Sequence, residues 1–161
     1  MTRVALARDL GLHLLGHPYL YGGKPVVLDR LPTPDEPLDC SGFVYLLLAA
    51  RVRIGEDVLG AGLQFIEKGN GSAAIHILLG SWNQEQWSRR ISVADALENV
   101  GCLLFRHTRG GHPRHVGFSL GAGHTLEAVG GRVGMVTIFR PAENARDRWD
   151  AGGKYDALYQ P

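Results

Sequence analysis

Residues 115–130 read HVGFSLGAGHTLEAVG, two short alternating runs on either side of a glycine-rich break. Strand alternation puts Val116, Phe118 and Leu120 on one face, plainly a core face, and His115, Gly117 and Ser119 on the other. The runs form a hairpin, and the length of its turn decides what stands beside His115. A two-residue turn at Ala122-Gly123 places Leu126 beside Ser119 and buries Glu127 against Phe118. A three-residue loop, Gly121-Ala122-Gly123 with glycine in the left-handed position, pairs Phe118 with Leu126 and Gly117 with Glu127. Register follows the buried face, so the second arrangement is expected. It sets Glu127 diagonal to His115 on one surface, about 7 Å apart at the backbone and within reach of a long side chain. His124 goes to the opposite face.

Working outward, residues 102–105 and 133–139 are also short, β-branched or alternating, and bounded by glycines, so the C-terminal half reads as an antiparallel meander. The N-terminal half has a different period. Thr2 caps a first helix that stops near Gly16 to Pro18, and a second helix spans Cys40 to Arg51. Between them YLYGG makes a tight turn, and LPTPDEPLD, with Pro32, Pro34 and Pro37, is an ordered loop. Residues 58–68 suggest a weak helix ended by the turn GNGS, and 73–79 are ambiguous between helix and strand. SWNQEQWSRR (81–90) reads as polar loop. ISVADALENVG (91–101) reads as a short helix capped by Ser92, with Asp95 completing a capping box. Helices first and strands second is an α+β pattern. The chain length of 161 residues fits one domain over residues 1–161.

The composition narrows the function classes. With 45% hydrophobic and 20% charged residues and a net charge of +1, no basic block or stripe marks a nucleic-acid partner. Arg51 with Arg53, Arg89 with Arg90, and Arg140, Arg146 and Arg148 read as solvated faces. No apolar run approaches the roughly 20 residues that span a bilayer, so no membrane partner is expected. The N-terminus lacks a signal peptide, because Arg8, Asp9 and His13 interrupt it. The expectation is a chain made in the cytoplasm and delivered by another route. Two cysteines make no disulfide framework. Cys102, in VGCLLF, reads as a small buried hydrophobe. His13 and His76 lie in apolar runs, His17 at a helix exit, and His107 and His112 in a polar hairpin loop. A metal site on His112, His115 and His124 is discounted because the register splits the last two. No cofactor is expected.

The segment DCSGFVYLLL (39–48) is built for burial yet opens with an acid, a thiol, a hydroxyl and a glycine. A helix starting at Cys40 takes Asp39 as its N-cap and holds the thiol at the positive end of the helix dipole, which favours thiolate. The N–H of Cys40 points out of the helix, able to meet a developing oxyanion. Gly42 is expected to leave room for a substrate backbone. Asp39 itself disfavours a thiolate, so a base is needed elsewhere. Cys40, His115 and Glu127 then supply a nucleophile, a general base and a carboxylate that orients the base.

These segments resemble the NlpC family of bacterial and phage cell-wall cysteine peptidases, whose fold is papain-like and α+β. PYLYGG looks like the family's Tyr-bearing Gly-Gly turn and LDCSGFV like its nucleophile motif. VADALENVGCLLF looks like the lead into the first strand, and HVGFSLGAGHTLEA like the base strand and its return. The resemblance implies Cys40 as nucleophile, His115 as base and Glu127 at the third polar position. Tyr19, Asp39 and Ser41 fall where family members bind the substrate's free amino end. The implied reaction is hydrolysis of an amide in peptidoglycan stem peptides, often the γ-D-glutamyl to diamino-acid bond. The third position is more usually His, Asn or Gln, and Cys102 stands where Asp is common. Cys40 and His115 lie 75 positions apart, which suggests an insertion at about 55–90. It carries Trp82 and Trp87, which read as half-buried packing, with a cleft wall or a docked partner as the alternatives. GHTLEAVGGRVGM and WDAGGKYDALYQP are similar to phage-associated members, so a larger phage or secretion assembly is a candidate partner. Three rival readings stay open: an N-acetylmuramoyl-L-alanine amidase, a Cys-His acyltransferase relative, and a non-catalytic wall-binding or phage structural domain.

Overall fold

The computed structural model describes residues 1–68 and 71–161, with the side chains of 68, 71–73 and 146 outside the described set. The first helix, α1 (Arg3–His13), is capped by the Thr2 hydroxyl, which accepts from the Ala5 N–H. The second, α2 (Cys40–Ala49), is capped by Asp39, whose Oδ1 accepts from the Gly42 N–H at 2.6 Å. Apolar on every side, α2 is buried from Cys40 to Leu48 and forms the centre of the core, as a helix without a polar face must. A hairpin of β1 (Val52–Ile54) and β2 (Asp57–Leu59) follows, then a second of β3 (Phe65–Lys68) and β4 (Gly71–Ala74). A 3₁₀ turn at Ile75–Leu79 leads into α3 (Ser81–Trp87), β5 (Arg89–Ile91) and α4 (Val93–Glu98).

The remaining strands are β6 (Leu103–His107), β7 (Pro113–Gly121), β8 (His124–Val129), β9 (Met135–Phe139) and β10 (Ala151–Lys154). With β5 they make a six-stranded sheet in the order β5-β10-β6-β7-β8-β9, and every pair in it is antiparallel. The chain is α+β. Val116, Phe118 and Leu126 turn to the core that also holds Phe43, Leu46 and Leu47 of α2. Gly11 of α1 closes the packing: a Cβ there would stand 2.5 Å from Leu126 and 3.2 Å from Leu47. Among the described residues no helix is long and apolar enough to cross a membrane.

Several elements differ from the sequence expectation. Residues 58–68 are not helical; they carry the end of β2, a connection and β3. Of the GNGS turn, Gly69 and Asn70 lie outside the described residues. The expected polar loop at 81–90 is α3 and β5. Its anchor is polar: the fully buried Gln84 donates from Nε2 to the Ser41 carbonyl at 2.9 Å and to the Leu78 carbonyl at 2.8 Å. A helix held by an amide rather than by an apolar stripe carries no hydrophobic periodicity. The hairpin register is as expected, Phe118 opposite Leu126, but its turn is not. Gly121 pairs with His124 across a two-residue turn, with Ala122 at φ 51° and Gly123 at φ 79°. A bulge between Ser119 and Gly121 restores the register, and the Ser119 hydroxyl accepts from the Gly121 N–H at 3.1 Å to hold it. Bulge and tight turn together do what the three-residue loop was expected to do.

Candidate active site

The cap at Asp39 places Cys40 at the first turn of α2, with its N–H at the end that has no intrahelical acceptor. From β7, His115 faces it. The ring's Nε2 lies 2.7 Å from Glu127 Oε1 of β8, which leaves Nδ1 as the nitrogen available to the thiol. Burial alone would lower the His115 pKa. Hydrogen bonding to Cys40 and to Glu127, with the negative charges of both, outweighs burial and raises the ring from its ordinary 6.5 to about 9. Cys40 is therefore the partner of the ring on the side away from Glu127, and the imidazole is placed to take the thiol's proton. Both cysteines are free; Cys102 is buried, with its sulfur 3.3 Å from the Tyr159 hydroxyl.

Glu127 is fully buried, a costly place for a carboxylate without compensation. Arg148 supplies it, donating from Nη2 to Oε1 and from Nη1 to Oε2, both at 2.7 Å. The Thr125 hydroxyl also donates to Oε2. Burial pushes the Glu127 carboxyl up, but the hydrogen bonds from His115 and Arg148 and their positive charges hold it below its ordinary value. Arg148 is fixed in turn: its guanidinium carbon lies 4.2 Å from the Phe139 ring centre and 4.5 Å from that of Trp149. Nη1 reaches Asn144 Oδ1 at 2.6 Å. Trp149 is stacked with the His115 ring, 5.9 Å between centres at 14°. Gly117 makes room for this, because a Cβ there would stand 2.9 Å from Trp149 and 3.0 Å from Glu127.

On the other flank the Lys24 ammonium donates to both Asp39 oxygens, at 2.9 and 2.8 Å, and to the Ser41 hydroxyl at 2.7 Å. The acid beside the thiol is thereby paired with a cation. Tyr19 joins this flank. Burial, then the charges of Cys40 and Asp39, raise its phenol above the ordinary value, so it remains a donor. The Gly42 expectation is corrected. A Cβ at Gly42 would stand 2.3 Å from the Gly23 carbonyl oxygen, so this glycine admits the chain's own turn rather than a substrate.

The structure thus brings Cys40, His115 and Glu127 together, with Tyr19, Asp39 and Ser41 beside the thiol. Sequence reasoning missed Arg148, Trp149, Asn144, Thr125 and Lys24. Arg148, expected on a solvated face, is a part-buried counter-ion. The available signal was an acid at a third position usually neutral, which demands a cation. Trp87 packs half-buried against the core, while Trp82 is exposed. A cavity of about 790 Å³ lined by Arg3, Phe65, Trp87, Arg89, Lys154 and Asp156 contains none of the triad. Chemistry rather than volume identifies the site. No cluster of three or more His, Cys, Asp or Glu side chains suited to a metal occurs among the described residues.

A family model described as NlpC/P60 family matches residues 16–147. Similar solved structures include the NlpC/p60 domain of the peptidoglycan hydrolase SagA, at 24% identity and TM-score 0.57, covering 94% of this chain and 97% of that one. The P60 domain of an antigen from M. avium subspecies paratuberculosis matches at 22% identity and TM-score 0.60, covering 99% and 96%. The peptidoglycan hydrolase RipB from Mycobacterium tuberculosis matches at 22% and 0.57, covering 94% of this chain and 64% of that one. No curated protein sequence matches this chain. These likenesses agree with a papain-like α+β fold.

Proposed function

This chain belongs to the NlpC/P60 family, and on that premise we propose that it is a cysteine hydrolase cutting an amide in peptidoglycan stem peptides. The bond we assign is that between γ-D-glutamate and the diamino acid. The observation that carries the reading is the His115 ring, tied by Nε2 to Glu127 at 2.7 Å so that its other nitrogen is left for Cys40.

The Cys40 thiolate attacks the scissile carbonyl carbon, and the Cys40 N–H at the helix end meets the oxyanion that forms. His115, as imidazolium, gives its proton to the departing amine as the C–N bond breaks, leaving a thioester on Cys40. Neutral His115 next takes a proton from water, which attacks the thioester. The thiolate leaves and the imidazolium is restored. Glu127 holds the ring in the tautomer that aims Nδ1 at sulfur and steadies its positive charge. The peptide's amino-terminal side lies against Tyr19, Asp39 and Ser41. The chain acts on the wall after delivery, in company with a larger phage or secretion assembly.

A digest of defined muropeptides by wild type and Cys40→Ala, read by mass spectrometry, tests this. The expected products are a γ-D-glutamyl peptide and a free diamino-acid peptide, absent with the variant. Cleavage between sugar and L-Ala would instead make the chain an amidase, and no cleavage by wild type would sink the hydrolase reading.

A further inference from the structure

The flank of the site beside Cys40 carries an acid that is already spoken for. Lys24 has three ammonium protons and three acceptors, both oxygens of Asp39 and the hydroxyl of Ser41, at 2.7 to 2.9 Å. Asp39 Oδ1 also accepts from the Gly42 N–H and from the Ser41 hydroxyl, at 2.6 and 3.2 Å. Asp39 is 8% exposed, so little of it remains for a second cation.

The position of Lys24 is built into the backbone. The Asp39 N–H donates to the Gly23 carbonyl at 2.9 Å. A Cβ at Gly23 would stand 2.3 Å from the Pro37 carbonyl oxygen, and one at Gly42 would stand 2.3 Å from the Gly23 oxygen and 3.3 Å from the Lys24 Cα. Two glycines therefore press the Gly23-Lys24 turn onto the first turn of α2, and the ammonium has a short, fixed reach to Asp39. A substrate ammonium arriving here meets a like charge and a carboxylate whose two oxygens already have donors, which costs affinity steeply. The chemistry still on offer is the Tyr19 hydroxyl, which has no partner among the described residues. A phenol O–H suits a neutral carbonyl oxygen.

We infer that Lys24 sets the specificity of this flank: the site takes a stem peptide whose amino end is acylated, as when still joined to sugar or to further chain, in preference to one ending in a free ammonium. This rests on the reading of the chain as a stem-peptide hydrolase with the amino-terminal side of its substrate against Tyr19 and Asp39. It departs from what the resemblance alone implies for Asp39 and Ser41.

The test uses one stem tripeptide in two forms, with a free amino terminus and N-acetylated. Cleavage is measured for wild type, Lys24→Met and Lys24→Arg. Binding to the Cys40→Ala protein, with and without Lys24→Met, is measured by calorimetry. Wild type is expected to favour the acetylated peptide by about tenfold or more in kcat/KM and in Kd. Lys24→Met opens Asp39 and should erase that preference, whereas Lys24→Arg should keep it. Equal or better use of the free-amine peptide by wild type overturns the inference, since the ammonium must then displace Lys24. So does a preference that Lys24→Met leaves unchanged. Binding in the expected order without cleavage would uphold the inference while defeating the hydrolysis reading. Binding of neither peptide defeats both.

Discussion

Two carboxylates flank the Cys40–His115 pair, and each is tied to a cation, yet they are built differently. Glu127 is fully buried and held by a bidentate guanidinium that is itself packed between Phe139 and Trp149. Asp39 sits at a helix end and is held by a lysine whose side chain is 34% exposed. Geometry of the first kind fixes an angle, because a planar fork admits one orientation and desolvation penalises every other. A point-like ammonium near water fixes a charge rather than an angle. The Glu127 side therefore governs how the histidine ring is aimed, and the Asp39 side governs what charge an arriving peptide meets.

The sharpest way to break this contrast is Arg148→Gln. It strands a fully buried carboxylate, so unfolding in urea should show a loss of about 3 kcal/mol or more. Adding Glu127→Gln should recover at least half of that loss, because no unpaired buried charge then remains. A single-variant cost under about 1 kcal/mol would mean Glu127 does not need its guanidinium, and the two flanks would be alike.

Glu127→Gln alone should slow hydrolysis less than His115→Ala does, while moving the pH–rate profile. His115 is raised to about 9, so wild type should lose activity on the alkaline side as the ring deprotonates near pH 9. Without the carboxylate that limb should fall to lower pH. The same raised value adds stability that is complete below the ring's ordinary 6.5 and disappears as pH rises through about 9. For Glu127 the sign is opposite: its pairing stabilises above the ordinary 4.5 and fades as pH falls through the lowered value. An alkaline limb unmoved in Glu127→Gln would show that the carboxylate does not set the imidazolium. The smallest effect is expected from Asp39→Asn, which keeps a helix cap and loses only a partly exposed ion pair, under about 1 kcal/mol in urea. A cost equal to that of Arg148→Gln would erase the distinction.

What was legible in the sequence follows the range of each interaction. The caps at Thr2, Asp39 and Ser92, and the register of Phe118 on Leu126, rest on neighbours a few residues away. The two counter-ions do not: Lys24 lies 15 residues from Asp39, and Arg148 lies 21 from Glu127. No local periodicity reports such a pairing. The strand Ala151–Lys154 was hidden for another reason. Gly152 and Gly153 face Ala96 and Ser88 so closely that a Cβ would stand 2.9 and 2.3 Å away, and a strand without side chains shows no alternation. Gln84 hid α3 in the same manner, by anchoring a helix through an amide in a segment whose polarity suggests solvent.

Gly117 has a consequence for how such a site tolerates change. Its absent side chain leaves one hollow that Trp149 and Glu127 enter from different directions, the two groups that bracket the imidazole. A single added methyl would act as a wedge, prising the ring's stacking partner away from its anchoring acid without touching any reacting atom. The most fragile point in the machinery is thus a residue with no chemistry of its own.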